Sequence, residues 1–324
     1  MRPLLVLLTV AAFALTAADK DRKIAVEDDP NQIGNRKVAK GWNLYSLDKE
    51  IALGKTMAAE LERNVKIIDD PVISEYVNRI GQNLARNSDS EVPFTIKVID
   101  DDSINALALP GGFLYVNTGL LSHAESEAEV AGAMAHEIAH VAARHGTRQE
   151  SAGQVISWAT LPVIFMGGGW AGVGARQAIQ LAIPMTYLKF SRRYEAEADN
   201  LGLQYMYKTG YDPAAFIDFF ERIQALEKKK KGTIHALFGS HPVTGSRIRD
   251  AQKRIERNLE PRPEYVVTSA EFSKVKSRLM MLQNRRQMDT KDPDAPVLRR
   301  NPQDRESGTT SEEDRPRLER RAAE

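Results

Sequence analysis

His136-Glu137-Ile138-Ala139-His140 is the stretch on which the reading of this chain turns. Positions four apart on a helix share a face, so the two imidazoles can grip one metal ion together. Glu137 sits beside the first of them and can reach the coordination position left for water, where a carboxylate takes up a proton. Ser126 and Glu129 stand at capping-box spacing, which predicts a helix starting there. That helix should run through AGAMAHEIAHVAAR and stop at Gly146 as its C′ residue.

A pattern of three fixed residues also arises by chance, so the argument needs a further ligand. A peptidase-type zinc site takes three protein ligands and leaves one position for water. Downstream, Ser191-Arg192-Arg193-Tyr194-Glu195-Ala196-Glu197-Ala198-Asp199 offers one. Glu195 and Asp199 are four apart and share a face, while Glu197 points elsewhere. Glu195 can bind the metal, and Asp199 can accept a hydrogen bond from the far nitrogen of a ligand histidine. The plainer alternative is an exposed acidic helix paired with Arg192 and Arg193. His145 is expected at a helix end or in the core. A three-histidine site would want glycine at position 143 and histidine at 146, where Ala143 and Gly146 stand. His145 also falls about half a turn out of phase with His136.

Composition sets the outer bounds. The chain has 324 residues, 42% of them hydrophobic, and a formal net charge of +1. Such balance argues against a dedicated nucleic-acid binder. With no cysteine, thiol catalysis, disulfides and thiolate-held zinc are excluded, and any transition metal must sit on His and carboxylates. Arg2, the apolar run Leu4 to Leu15 and the small Thr16, Ala17 and Ala18 read as a secretory signal, residues 1–18, cleaved after Ala17 or Ala18. The run is short for a membrane span of about 20 residues. Residues 19–41 read as a polar extension and 284–324 as a disordered charged tail.

Between these, Ser46 should cap a helix carrying Ile51, Leu53, Met57 and Leu61. Asp70-Pro71 should open another that carries Val72, Ile73, Tyr76, Val77, Ile80 and Leu84. Phe94 to Ile99 and Phe113 to Val116 read as strands, the second entered through Pro110-Gly111-Gly112. Helices are expected from Tyr194 to Tyr207, after Asp212-Pro213, after Pro242 and from Thr268 to Leu282. Lys228 to Lys231 reads as a solvated helix end. Residues 151–175 carry no charge and many glycines, which suggests a loop or helical hairpin over a site, with a membrane-dipping hairpin and plain core packing as the other readings.

Beyond these residue-level arguments, the chain resembles the HtpX-like and CAAX prenyl endopeptidase family of zinc metallopeptidases, family forty-eight, and most of all its soluble periplasmic branch. The resemblance rests on Asn105-Ala106 with Ala108 to Gly112, on Tyr115 to Leu121, and on His136 to His140. It continues through Ser191-Arg192 with Glu195 and Ala198-Asp199, and Ser240-His241-Pro242 with Arg247, all in the family's order. It spans residues 42–283, the expected metallopeptidase domain. It implies an α+β, predominantly helical, zincin-like (gluzincin) domain with a small antiparallel sheet beside the HExxH helix. It implies one Zn2+ per chain with Glu195 as third ligand. His241 and Arg247 would face the site, His241 either stabilising the oxyanion or closing as a fourth ligand, Arg247 steadying an oxyanion or a substrate carbonyl. It further implies that Gly112, Phe113, Leu114 and Tyr115 form a sheet edge that, with Asn105 and Ala106, receives an extended peptide. The chain departs from membrane-embedded members in having no full-length hydrophobic span after the leader. It departs from the periplasmic branch in carrying a charged tail where a helical-repeat domain would stand.

The expected function is therefore zinc-dependent endopeptidase action on extended or misfolded envelope proteins, in the periplasm. Peripheral membrane association is an open alternative and the oligomeric state is not legible. The alternative from another class is a zinc-stabilised chaperone or assembly factor with weak proteolysis.

Overall fold

A computed structural model describes residues 24–153, 190–229, 241 and 244–291. Residues 1–23, most of the uncharged 151–175 stretch, Ser240, Pro242 and nearly all of the charged tail lie outside the described residues. The chain divides into residues 1–280, which carry everything discussed below, and residues 281–324.

Local chemistry places most element starts. Helix α1 (Leu47–Asn64) begins where the Ser46 side chain accepts from the Lys49 N–H, and α2 (Pro71–Arg86) where Asp70 accepts from Ile73 and Pro71 fills the first turn. On α2, Ile73, Tyr76, Val77, Ile80 and Leu84 are buried as their spacing predicts, but Val72 faces solvent. Strand β1 (Thr95–Ile99) is followed by a strand that spacing did not announce, β2 (Ala106–Leu109), and then by β3 (Phe113–Asn117). The β2–β3 turn uses Gly111 and Gly112 at φ of 76° and 91°, a region that side chains disfavour.

The expected small sheet is present, with a different layout. Its order is β1-β3-β2, with β1 parallel and β2 antiparallel to β3, so it is mixed. Strand β3, expected at the edge, is the central strand, hydrogen-bonded on both sides. Leu114 and Tyr115 are accordingly buried. The edge toward the histidines is β2.

After the short α3 (Thr118–His123) comes α4 (Glu127–Ala142), capped by Ser126. Every residue of α4 is buried, the mark of a core helix rather than a half-exposed one. Against it lies α5 (Arg192–Lys208), capped by Ser191. Gly202 makes this approach close: a Cβ there would come 3.2 Å from the His136 backbone nitrogen. Helices α6 (Ala214–Lys229), α7 (Gly245–Asn258, capped by Thr244) and α8 (Ala270–Lys291) complete the described chain. Among the described residues no helix is long and apolar enough to cross a membrane.

Two expectations are corrected here. The HExxH helix does not run to Gly146: it ends at Ala142, and Arg144, not a glycine, takes the positive φ of 56° before helix resumes at 145. The stretch before residue 42 is no loose extension from residue 24 onward, since Arg36 is buried against Asp89 and Gln204.

Candidate metal centre

The centre lies between α4 and α5. Helix α4 projects His136 and His140 from one face, α5 brings Glu195 across, and His241 arrives from the segment preceding α7. His136 Nε2 and His140 Nε2 are 3.1 Å apart. Glu195 Oε2 is 3.4 Å from His136 Nε2, and Glu195 Oε1 is 3.7 Å from His140 Nε2. His241 Nδ1 lies 3.4 Å from His136 Nε2 and 2.7 Å from Glu195 Oε1. One donor atom from each of the four residues falls within 4.8 Å of the others, and all four residues are buried.

This set fits a zinc-like ion. Donors held tetrahedrally at about 2.0–2.1 Å stand roughly 3.3–3.4 Å from one another, and the separations above scatter around that value. Glu195 Oε2 is buried without a well-formed hydrogen bond, although Arg247 Nη1 lies 3.0 Å away. Imidazole nitrogens crowding a carboxylate oxygen need a proton or a cation among them to offset their desolvation.

Charge in the metal-free site follows. Burial opposes a charged His136, but Asp199 and Glu195 outweigh it and push its pKa up to about 9. Burial, reinforced by the surrounding His136, His145, His241 and Arg247, drives His140 well below the ordinary imidazole range. Glu195 is held low: burial would raise it, but His136 and His241 prevail. A metal bound on His136 would therefore compete with a proton.

The partners of these four residues are more committed than the sequence suggested. Asp199 Oδ1 lies 3.0 Å from His136 Nδ1, on the far side of that ring, and accepts from Arg247 Nη2 at 2.7 Å while Oδ2 accepts from Arg247 Nε at 2.8 Å. Arg247 also donates to the His241 carbonyl at 3.2 Å, so its fork ties together three parts of the centre. Glu195 and Asp199 are each 3% exposed, which rules out the exposed acidic helix paired with Arg192 and Arg193. Glu197 does point away from the other two, yet it reaches His145, a residue that spacing set aside and that is wholly buried beside His140.

Glu137 sits at the mouth. Its Oε2 accepts from the Ala108 N–H at 3.0 Å, and its Oε1 is 3.5 Å from His241 Nε2. Ala108 belongs to β2. The Asn117 N–H donates to the Asn105 carbonyl at 2.9 Å, and in an antiparallel ladder residues alternate, so Ala106 and Ala108 turn their backbone groups away from β3. Ala106 lines the cleft with His136, Glu137, Phe220, His241 and Arg247. Of the residues expected to receive a peptide, Asn105 turns its carbonyl to β3, while Ala106 lies on the side of the site. Gly112, Phe113, Leu114 and Tyr115 lie one strand behind it, and Tyr115 spends its hydroxyl on Glu62.

A family model described as peptidase family M48 matches residues 71–255, which contain every residue of the centre. The beta-barrel assembly-enhancing protease of Escherichia coli strain K12 is 28% identical over 246 residues, 74% of this chain and 50% of that protein. The mitochondrial metalloendopeptidase OMA1 of Schizosaccharomyces pombe is 31% identical over 179 residues, 55% of this chain and 52% of that protein. The metalloprotease LoiP of Escherichia coli strain K12 is 26% identical over 220 residues, 67% of this chain and 85% of that protein. The chain thus spans about half the length of several curated relatives it matches.

Proposed function

This chain belongs to peptidase family M48, and on that premise we propose that it is a zinc-dependent endopeptidase acting on extended or misfolded polypeptides. The supporting observation is the convergence of His136, His140 and Glu195 with Glu137 alongside. His136, His140 and Glu195 would hold the ion. The chemistry an ion supplies there is Lewis acidity, which acidifies water and polarises a carbonyl. Glu137 acts as general base: it takes the proton of the attacking water and passes it to the leaving amine. The outward backbone groups of Ala106 and the neighbouring Ala108 carbonyl offer an extended substrate a strand to pair with. The resemblance had put that role on β3; the edge strand β2 takes it.

His241 bears on regulation of the same site. With its Nδ1 among the donors, the centre has four protein groups, the count of a closed zinc site, whereas catalysis needs one position for water. This arrangement supports the reading of His241 as a fourth ligand that must swing away before hydrolysis. It also favours, as a second reading, a zinc-stabilised chaperone or assembly factor with weak proteolysis. Arg247, engaged bidentately by Asp199 and close to Glu195, is better suited to holding these two carboxylates than to an oxyanion.

The leader-like start and the relatives named for beta-barrel assembly support a periplasmic site of action and envelope proteins as substrates. Metal analysis and casein degradation, run on the natural chain and Glu137→Gln together, test the proposal. One zinc per chain in both, with cleavage lost only in Glu137→Gln, is expected. Undiminished cleavage by Glu137→Gln would overturn the peptidase mechanism, and zinc without cleavage in either would favour the chaperone reading.

A further inference from the structure

Behind the ligands lies a cluster that the mechanism above does not use. His145 is 0% exposed. Its Nδ1 is 2.9 Å from His140 Nδ1, and its Nε2 is 3.3 Å from Glu197 Oε2. Resting on the metal-site reading just given, we propose that His145, oriented by Glu197, is a positioning residue that fixes the tautomer and ring angle with which His140 meets the metal.

Proton counting carries the argument. A histidine that ligates through Nε2 must keep its ring proton on Nδ1. The atom facing His140 Nδ1 must then accept. His145 Nδ1 accepts only when its own proton sits on Nε2, and there the Glu197 carboxylate, which only accepts when ionised, receives it. One arrangement therefore satisfies every contact: Glu197 accepts from His145, His145 accepts from His140, and His140 Nε2 is left with its lone pair toward the ligand set. The reverse order would place a proton on His140 Nε2, 3.1 Å from His136 Nε2, and leave His145 Nε2 a bare acceptor facing a carboxylate.

The backbone is shaped to make this contact. Five residues along a continuous helix turn about 140° away, so an unbroken α4 would carry His145 off the face of His140. Arg144 breaks the helix with a left-handed φ of 56°, a conformation of some cost for a residue with a side chain. It is held there by Glu50, which accepts from Arg144 Nε at 2.6 Å, and by the Tyr45 carbonyl, which accepts from Nη2 at 2.7 Å. Rings then clamp the pair: Tyr194 stacks on His145 at 4.5 Å between centroids and Phe190 on His140 at 4.2 Å. Arg148 Nη1, 3.5 Å from Glu197 Oε2, favours the ionised carboxylate. Both ligand imidazoles are thus backed by acids of α5 two residues apart, His136 by Asp199 directly and His140 by Glu197 through an intermediate ring.

The test is zinc affinity of the full chain, measured by competition with a chromophoric chelator, for the natural protein, His145→Ala, His145→Asn and Glu197→Gln. Loss of such a partner weakens metal affinity by about 10–100-fold. His145→Ala should fall in that range. His145→Asn, whose amide oxygen can accept from His140 Nδ1, should recover part of the loss, and Glu197→Gln should lie between it and the natural protein. Urea unfolding of each metal-free variant separates affinity from stability. A merely structural His145 would lower metal-free stability while leaving zinc affinity unchanged, and that result overturns the proposal. Should His145→Ala not fold, unchanged affinity in both His145→Asn and Glu197→Gln overturns it equally. If the natural chain binds no zinc, the metal-site reading fails first; if it binds one ion and the variants bind it as tightly, only the positioning role fails.

Discussion

Helix α5 serves two buried polar clusters, one at each end, and they are built on opposite terms. Toward its C-terminal half, Gln204 and Tyr205 join Arg36 and Asp89. Arg36 and Asp89 are 2% and 1% exposed as side chains and meet at 2.8 Å. Arg36 Nη1 donates to Gln204 Oε1 at 2.6 Å, and Asp89 accepts from the Tyr205 hydroxyl and the Gly34 N–H, each at 2.9 Å. Charge is balanced and donors meet acceptors. At the N-terminal half, Glu195 joins three imidazoles whose nitrogens face one another, and one carboxylate oxygen lacks a proper donor. Equal burial hides different make-up: one cluster pairs its charges internally, and the other gathers the four donors of the candidate metal centre.

Four measurements would break or sharpen that contrast. The largest effect belongs to Glu137→Gln, which should reduce peptide hydrolysis by about 10²–10⁴-fold, as loss of a general base does. Its metal-free urea midpoint should stay near that of the natural chain; parallel loss of stability would make Glu137 structural. Next, Arg36→Ala should cost about 3–5 kcal/mol of folding stability, the penalty for stranding one partner of a buried ion pair. Zinc affinity of the fraction still folded should be unchanged, and a large change there would couple the two clusters.

The third measurement is a pH series. His136 is raised from 6.5 to about 9 in the metal-free fold, against the burial that opposes it. A raised pKa stabilises the fold fully below the unfolded value and loses that contribution as pH climbs through the folded one. Metal-free stability should therefore decline between pH 6.5 and about 9. Zinc affinity should rise across the same window, by at most about tenfold per pH unit for one displaced proton. Isothermal titration in buffers of different ionisation enthalpy counts that proton; none released would refute a protonated His136. The smallest effect is expected far from either cluster. Glu62 is held low: the slight burial acting against it is outweighed by Lys97, which donates to it at 2.7 Å, and by Tyr115. With side chains 30% and 37% exposed and still screened by solvent, the Glu62–Lys97 pair should be worth about 1 kcal/mol or less in a double-mutant cycle, and less at high salt.

Much of the site was legible because its grammar is local. Four-residue spacing on one helix forecasts the pairing of His136 with His140 and puts Glu195 on one face with Asp199, and capping signals mark the starts of α1, α2 and α4, whereas α5, expected from Tyr194, starts at Arg192 behind a Ser191 cap. What escaped depends on distant pairing. Ala106 to Leu109 is a short run of residues that favour helix, and only the β3 partner makes it a strand, so the true sheet edge was hidden. The end of α4 was misplaced because Arg144, not Gly146, takes the left-handed turn, and its anchors Glu50 and Tyr45 lie some ninety residues earlier. His145 was judged by its angle on an unbroken helix, and the break is what brings it to His140. Arg36 was not legible because the side chains it meets, Asp89 and Gln204, come from the segment after α2 and from α5.

Gly202 carries a last consequence. Because it has no side chain, the two helices that hold the ligand residues meet almost backbone to backbone, with an added methyl lying 3.2 Å from the His136 nitrogen and 3.3 Å from the Ala135 carbonyl carbon. The gap between the histidine pair and Glu195 is thereby gauged by an absent atom rather than by any polar group. Alanine at that position would act as a shim, pressing on the His136 backbone and prising the two helices apart by tenths of an ångström.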